Sequence, residues 1–390
     1  MSTGPGTPSL LRSLNDRRVL ALLLEQGPST RTDLARLSGL SKQTATQVVQ
    51  RLQSAGVIEL SGHQSAGRGP TAAVYAPVAR TRVGVALDAR ESELTAVLVD
   101  VLGRELARVE LRAEAVTPHE LLAATSRACA QADVPVADLD LAVVALSASV
   151  DPVTDTLRFS EDFPGWPATD VRRRLALALG CDVVLDNDVK LAARIERTRG
   201  AGAGSPGFLL LWMGTGVGLA TDIGGTVIQG VSGAAGEIGY LAVPPRSDRR
   251  DPGRSDGPAT LQDVLSATAL ARLAVPALAE DAPEAEVREA LDRVMADDAL
   301  LGEAARRIAD GLLASLAILD PGLVVLAGLP ASAGGSRLAA RVSHWLAVSS
   351  PWHARVEVSG VSENPVTAGA QDVLVSGLRR RLLDSVGPEG

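Results

Sequence analysis

The chain has 390 residues, of which 46% are hydrophobic, a size that suits one small domain joined to a larger, two-lobed one. Its two cysteines exclude a disulfide framework and any zinc site that needs three or four thiolates. The sequence contains no apolar run long enough to span a bilayer and no cleavable signal pattern, so we expect a cytoplasmic protein.

The net charge of −8 is unevenly distributed along the chain. Residues 1–82 contain ten basic and four acidic side chains, whereas the rest of the chain is strongly acidic. Nucleic-acid phosphates attract a basic surface and repel an acidic one. This pattern favours an N-terminal head that meets DNA and a body that does not.

The first part of the head predicts two helices in succession. A helical stretch covers about residues 11–26 and ends before a Gly-Pro pair. Thr30 is an expected N-cap of a second, short helix, with Asp33 three residues later as its reciprocal partner. The turn after that helix contains Gly39, which can adopt a positive φ.

A third helix, capped by Ser41, has one apolar and one polar face. Its apolar residues have the i, i+3, i+4, i+7 spacing of a buried face, namely Ala45, Val48, Val49 and Leu52. The opposite face carries long or hydroxylated side chains, which suit a helix that reads base edges in the major groove. We predict that five of them contact DNA: Lys42, Gln43, Thr44, Thr46 and Gln47. The alternative is a helical scaffold or a protein-interaction module whose polar face is only solvated.

A short hairpin is expected to follow the third helix. Residues 57–60 and 74–75 are candidate strands around a polar, glycine-rich tip. Arg68 lies at this tip between two glycines, where an arginine could enter a minor groove. Residues 1–77 therefore predict a winged helix-turn-helix, which is mostly α-helical, and Arg68 joins the predicted DNA-binding residues.

Four segments of the head share a recognisable order: Asn15–Leu20, Ser29–Ala35, Gly39–Lys42 and Gly67–Pro70. In this order they resemble the head of repressors of the ROK family (repressors, open reading frames and sugar kinases). That family includes xylose and N-acetylglucosamine repressors, and the resemblance covers nearly the whole chain. It implies a DNA-binding head on a body that is similar to a sugar kinase.

The rest of the chain alternates strand-like and helix-like segments, which predicts an α/β body. A buried strand at residues 82–88 begins one strand-rich unit, and a glycine-rich hairpin at residues 208–230 begins a similar one. Two such lobes indicate the actin-like ATPase fold of sugar kinases, of the RNase H-like class, as the resemblance also implies. We expect a head at 1–77, a first lobe at 78–198, a second lobe for ligand binding and dimerisation at 199–372, and a C-terminal helix at 373–390 that packs back on the first lobe.

The loop after the first strand of the body departs from the kinases that the chain resembles. Those kinases have Asp-x-Gly-Gly-Thr there, because phosphates need close backbone approach and N–H donors. This chain has Asp88 followed by Ala, Arg, Glu and Ser, which predicts the loss of the phosphoryl-transfer loop. The string Asp222–Thr226 matches the kinase motif literally. It follows a segment similar to the second phosphate loop, Met213–Leu219, and we interpret its glycines as a tight β-turn.

The resemblance also implies where a sugar would bind. Asn187 and Asp188 match an Asn-Asp pair in which the Asn binds the sugar and the Asp is the base that takes a hydroxyl proton. Either side chain could instead only cap the following helix. Glu237 belongs to a motif that ends, in the family, in a sugar- and zinc-binding histidine, and Tyr240 stands at that position here. We predict a ligand site at Asn187, Asp188, Glu237 and Tyr240, in which Asp188 is a vestigial base and no residue is catalytic.

The family's zinc loop is replaced as well. A polar, proline-rich run at residues 244–260 stands where members have a cysteine-rich loop, and Gln262 stands where the last sugar-binding glutamate is expected. Residues 146–151 stand where family members usually show Pro-Gly before Val-Asp. We therefore expect no zinc and no other cofactor.

Taken together, these features predict a sequence-specific transcription regulator, a repressor of carbohydrate-related genes. Its expected partners are double-stranded operator DNA, a sugar or phosphosugar effector, and further copies of itself in a homodimer or homotetramer. One alternative is a regulator that binds no sugar and uses its body for dimerisation or a protein partner. The other is an ATP-dependent sugar kinase.

Overall fold

The computed structural model describes residues 8–64, 71–159, 165–243, 259–361 and 363–387. These residues form two compact units. Unit 1 contains the residues up to Val144, Arg172–Val184 and the chain from Ala370 onward, and unit 2 contains Ala145–Val171 and Leu185–Gly369. Within the described ranges, no helix is both long and apolar enough to cross a membrane.

The head has the three helices and the two hairpin strands that its sequence predicts, in that order, and one further short strand before the second helix. They are α1 (Pro8–Gln26), β1 (Ser29–Thr30), α2 (Arg31–Ser38), α3 (Lys42–Ser54), β2 (Ile58–Gln64) and β3 (Ala72–Pro77). The three strands form one sheet in the order β1-β3-β2. The Thr30 side chain caps α2 by accepting a hydrogen bond from the backbone N–H of Asp33, and its hydroxyl donates to the Asp33 carboxylate at 2.7 Å. Gly39 ends α2 with a φ of 68°, so the predicted cap and glycine turn are confirmed.

The first sheet of the body has five strands in the order β10-β7-β4-β5-β6. Its elements and the short segments between them are β4 (Val83–Ala89), β5 (Glu93–Asp100), β6 (Glu105–Arg112), α4 (Pro118–Gln131), β7 (Leu141–Leu146), β8 (Ser149–Val150), β9 (Leu157–Arg158), α5 (Val171–Leu179), β10 (Asp182–Asn187) and α6 (Asp188–Arg199). Every residue of β4 and β7 is buried, which explains their nearly continuous apolar sequences.

The second sheet also has five strands, in the order β13-β12-β11-β14-β15. The elements from here to the C-terminus are β11 (Gly207–Met213), β12 (Val217–Ile223), β13 (Thr226–Val227), α7 (Gln262–Leu265), α8 (Ala267–Ala271), α9 (Glu284–Ala296), α10 (Asp298–Leu319), β14 (Leu323–Gly328), α11 (Leu329–Ser349), β15 (Arg355–Val358) and α12 (Pro365–Ser385). In both sheets an antiparallel meander of three strands is extended by two strands that arrive after helices. This repeat confirms the two-lobed kinase-like fold.

The central strand β11 shows how the second sheet is buried on both faces. Leu209 and Leu211 point into a large core formed with α9, α10 and α11. Phe208 and Leu210, which alternate with them, point into a smaller core that contains residues of α6. Helix α6 is therefore packed against the sheet, and two of the predicted ligand-site residues, Asn187 and Asp188, are its N-cap and its first residue.

Candidate functional site

The third helix of the head has the two faces that its sequence predicts. The Ser41 side chain caps α3 by accepting a hydrogen bond from the backbone N–H of Thr44 at 3.1 Å. The four apolar positions of the helix, Ala45, Val48, Val49 and Leu52, are all buried. Packing of this stripe fixes which side of α3 faces solvent.

The predicted DNA-binding residues of α3 differ in how far they reach into solvent. Lys42, Gln43 and Gln47 are exposed, whereas Thr44 and Thr46 are half-buried. The Thr46 hydroxyl donates to the backbone carbonyl of Lys42 at 2.9 Å, and the Thr44 hydroxyl lies 2.8 Å from that of the capping serine. The two threonine hydroxyls thus have partners at the helix itself. Among the five predicted residues of α3, the two glutamine amides and the lysine ammonium group are therefore the most accessible polar groups.

An ion pair that the sequence analysis did not identify anchors α3 to α1. The Arg51 guanidinium donates two hydrogen bonds to the Asp16 carboxylate, at 2.9 and 2.5 Å. The hydrogen bond to Asp16 raises the pKa of Arg51. Because the two residues are 35 positions apart in the chain, no local pattern points to their pairing.

The wing is attached to the start of α2. Strand β3 pairs with β1, and the Arg31 guanidinium stacks over the Tyr75 ring at 5.0 Å and donates a hydrogen bond to its hydroxyl. Strands β2 and β3 pair antiparallel with an irregularity after Leu60. Arg68, the predicted minor-groove residue at the wing tip, lies outside the described residues.

The loop after β4 is a tight turn that is held by backbone hydrogen bonds and by an ion pair between two of its own side chains. The backbone N–H of Arg90 donates to the carbonyl of Glu93 at 2.9 Å, and that of Val116 donates to the carbonyl of Glu91 at 2.9 Å. The Arg90 guanidinium lies 3.4 Å from the carboxylate of Asp88, whose side chain is buried. The charged residues that replace the family's glycines are therefore part of a closed hairpin.

The glycine loop between β11 and β12 is held by Gln262. The side-chain amide of Gln262 accepts from the backbone N–H of Val217 at 2.9 Å and donates to the carbonyl of Thr215 at 2.6 Å. The sequence comparison placed Gln262 where the family has a sugar-binding glutamate. In the structure its amide positions the backbone of this loop.

The literal kinase string at residues 222–226 forms the β12–β13 hairpin, as predicted. Gly224 and Gly225 form its turn with φ of 59° and 87°. Asp222 is buried and forms an ion pair with Arg197. The Arg197 guanidinium also donates to two backbone carbonyls in the loop between α6 and β11. The role of Asp222 is therefore structural.

The Asn-Asp pair lies at the junction of β10 and α6. The Asn187 side chain caps α6, accepting from the backbone N–H groups of Val189 and Lys190 at 3.0 and 3.3 Å. The Asp188 carboxylate, half-buried, accepts a hydrogen bond from the Ser147 hydroxyl at 2.6 Å. Helix capping by Asn187 is thus one observed role, and sugar binding by either residue stays a prediction.

Glu237 follows a glycine that no other residue could replace without a shift of the backbone. A Cβ at Gly236 would lie 1.7 Å from the carbonyl oxygen of Leu219, and its φ is 99°. The half-buried Glu237 carboxylate accepts from the Ser149 hydroxyl at 2.7 Å. The structure therefore holds this carboxylate in one orientation.

Tyr240 and Lys190 complete the surroundings of the predicted site. Tyr240 is 59% exposed, and its ring contacts that of Phe159 with centroids 5.1 Å apart. Lys190 is buried, and its ammonium group donates to the carbonyls of Gln229 at 3.2 Å and of Gly233. Burial lowers the pKa of Lys190. This lysine joins α6 to the loop that leads to Glu237.

The described residues contain no group of three or more His, Cys, Asp or Glu side chains arranged to hold a metal ion. Residues 244–258, which replace most of the family's zinc loop, lie outside the described part of the chain. The expected absence of zinc therefore stays a prediction.

Two sequence-family models match this chain. The model of the ROK family matches residues 84–374, and a model described as winged helix-turn-helix DNA-binding matches residues 12–59. Together they cover the head and the body in the order found here.

Curated proteins and solved structures include both kinases and regulators that are similar to this chain. A glucokinase of Halalkalibacterium halodurans is 36% identical over 116 residues, 30% of this chain and 34% of the glucokinase. The xylose repressor of Bacillus subtilis is 23% identical over 60% of this chain and 62% of its own length. The chain thus spans less than two thirds of both relatives. The crystal structure of a ROK family transcriptional regulator, a homolog of the Escherichia coli MLC protein, has a TM-score of 0.72 at 18% identity, covering 96% of this chain and 99% of that one.

Proposed function

The chain belongs to the ROK family, and on that premise we propose that it is a sequence-specific DNA-binding transcription regulator, a repressor of carbohydrate-related genes. One observation carries the proposal. Helix α3 presents Lys42, Gln43 and Gln47 to solvent on a capped helix whose other face is buried, within a winged helix-turn-helix. Its partner is double-stranded operator DNA, bound by a head that we assign to residues 1–77.

We assign no phosphoryl transfer to the body. Phosphoryl transfer depends on positioning and on charge stabilisation by phosphate-binding loops. Arg90 and Glu91 replace the glycines of the first such loop, and the turn that contains them is closed by backbone hydrogen bonds. The retained Asp188 favours the alternative of an ATP-dependent sugar kinase, because it could still accept a hydroxyl proton.

The body is proposed to sense a sugar or phosphosugar at Asn187, Asp188, Glu237 and Tyr240. The half-buried carboxylates of Asp188 and Glu237 support this assignment, because both lie in unit 2 and each is held by a hydrogen bond from a serine. The second candidate is a regulator that binds no sugar. The contact of Tyr240 with Phe159, at the position of a sugar-binding histidine, favours it.

We also propose that the body, with lobes at 78–198 and 199–372 and the terminal helix at 373–390, forms a homodimer or homotetramer. One recognition helix reads few base pairs, whereas paired heads read both halves of a palindrome. Sedimentation of the full chain with and without DNA tests this, and a strict monomer at micromolar concentration in both states would contradict it.

The function is tested by selecting DNA from a random-sequence library with the full chain and then measuring variants on the selected site. Gln43→Ala and Gln47→Ala should each weaken binding by about 1–3 kcal/mol and relax preference at one base pair. Gln26→Ala, at an exposed position near the end of α1, is the matched control and should leave affinity unchanged. If a chain without residues 1–77 binds the selected site as well as the full chain does, the proposal is wrong.

A further inference from the structure

One short segment contacts three of the four residues proposed for the ligand site. This serine segment consists of Ser147, Ala148 and Ser149 and lies in the stretch where the family usually shows Pro-Gly before Val-Asp. The Ser147 hydroxyl bonds to Asp188 at 2.6 Å, and the Ser149 hydroxyl bonds to Glu237 at 2.7 Å. The carbonyl of Ala148 accepts from the Asn187 side chain at 3.4 Å. The segment thus connects the junction of β10 and α6 with Glu237, which is distant in the sequence.

The direction of these hydrogen bonds follows from the groups involved. An ionised carboxylate can only accept, so each serine must direct its hydroxyl hydrogen toward Asp188 or Glu237. Each serine then has only lone pairs for any other neighbour. The serine–carboxylate pairs therefore offer acceptors, and they match a ligand that donates hydrogen bonds through hydroxyl groups.

The charges around these pairs disfavour an anionic ligand. In the described part of the chain, three carboxylates, those of Asp186, Asp188 and Glu237, lie around these pairs together with two cations, Lys190 and Arg194. Both cations have partners in the protein: Lys190 donates to two backbone carbonyls, and Arg194 donates to Asp186 at 3.3 Å. A ligand with a phosphate or carboxylate group would add negative charge where, among the described residues, carboxylates already outnumber cations.

We propose that Ser147 and Ser149 are positioning residues that preorganise Asp188 and Glu237 and make the site selective for an unphosphorylated polyol. This inference rests on the proposed sugar-sensing function. Carboxylates that are oriented before the ligand arrives lose less conformational freedom when it binds, so removal of either hydroxyl weakens binding. Ser149 is 1% exposed, whereas Ser147 is exposed.

The test uses the full chain and titration calorimetry at constant ionic strength. The probes are D-xylose, D-glucose, N-acetyl-D-glucosamine and the 6-phosphates of the two hexoses. We expect a neutral hexose to bind at least about 10-fold more tightly than its own 6-phosphate, and Ser149→Ala and Ser147→Ala each to weaken it about 10-fold, the effect of one lost hydrogen bond to a charged group.

Two controls separate positioning from general destabilisation. Ser147→Thr keeps the hydroxyl at an exposed position and should restore affinity to within about 3-fold of the wild type, which is less than the loss of one hydrogen bond. Ser349→Ala removes a hydroxyl that bonds to the carbonyl of Trp345 within α11, and it should change nothing. The circular dichroism spectrum and the thermal unfolding of unit 2 should match the wild type in every variant that is compared, which confirms that the unit containing the serines is folded.

Each other outcome overturns a defined part. If both alanine variants bind the sugar like the wild type, the positioning role is refuted while sugar sensing stands. If the 6-phosphate binds more tightly than the neutral hexose, the selectivity is refuted. If no probe binds the wild-type chain, the proposed sugar sensing fails and this inference fails with it. Should Ser149→Ala not fold, the pair Ser147→Ala and Ser147→Thr decides the question alone.

Discussion

Replacement of Asp16 by Asn should loosen α3 without changing any side chain proposed to meet DNA. Asp16 accepts two hydrogen bonds from Arg51, and only 13% of its side chain is exposed. A hydrogen bond to a charged group contributes about 1.5–3 kcal/mol, whereas an exposed ion pair contributes about 0–1 kcal/mol. Because 37% of the Arg51 side chain is exposed and water can solvate it after the substitution, we expect a loss of about 2 kcal/mol, near the lower end of the first range.

Hydrogen–deuterium exchange of peptides that cover α3 measures this loss directly. A loss of about 2 kcal/mol in the local opening free energy corresponds to roughly 30-fold faster exchange. Arg51→Gln should have a similar effect, and the double variant should add little to either single one, because both changes remove the same pair. Arg293→Gln breaks an exposed pair with Glu289 on α9 and is the control. Exchange in α3 within about 3-fold of the wild type in Asp16→Asn would refute this role of the pair.

Three further changes have defined outcomes. Gly236→Ala would place a Cβ 1.7 Å from a carbonyl oxygen of β12, at a residue with a positive φ. It should lower the unfolding free energy of unit 2, measured by thermal unfolding, by more than about 2 kcal/mol. The control is Gly216→Ala, whose Cβ would meet no atom within 4 Å and which should cost less than about 1 kcal/mol. The hydrogen bond from the Thr117 hydroxyl lowers the pKa of Glu120 to about 2. The stability that Glu120 contributes is therefore complete above its unfolded pKa of about 4.5 and is lost as the pH falls toward 2. Over that pH range, the difference in unfolding free energy between the wild type and Glu120→Gln should vanish. Gln262→Ala should speed amide exchange in the β11–β12 glycine loop about 10-fold, and unchanged exchange would contradict the role of its amide.

Local signals in the sequence were sufficient to predict much of the head. Thr30 and Ser41 cap α2 and α3, and Gly39 adopts the positive φ that its position requires. Each of these features depends on backbone groups within four residues, so the residue types and their spacing determine them. The hairpin turn at Gly224 and Gly225 was predictable for the same reason.

The contacts that orient the candidate site could not be predicted in this way. Ser147 and Asp188 are 41 residues apart, and Ser149 and Glu237 are 88 residues apart. A serine has no sequence signature for a distant carboxylate, since its hydroxyl bonds equally well to water or to its own backbone. Only the pairing of distant elements in the fold brings these groups together. Resemblance to a family located Asp188 and Glu237, but this chain departs from the family at the serines, where the resemblance gives no information.

Two Asp-led segments of this chain, one with the kinase glycines and one without them, show that a short motif has to be interpreted by its position in the fold. The string that matches a kinase phosphate loop begins at Asp222, which is buried against Arg197 at a hairpin turn. The loop that the resemblance places at the phosphate position begins at Asp88 and has Arg90 beside its carboxylate. A phosphate needs free backbone N–H groups and little negative charge, and in this loop the N–H of Arg90 already bonds to a carbonyl. The chain thus keeps the fold of the family, while the carboxylates of both Asp-led segments are engaged by arginines of the same chain.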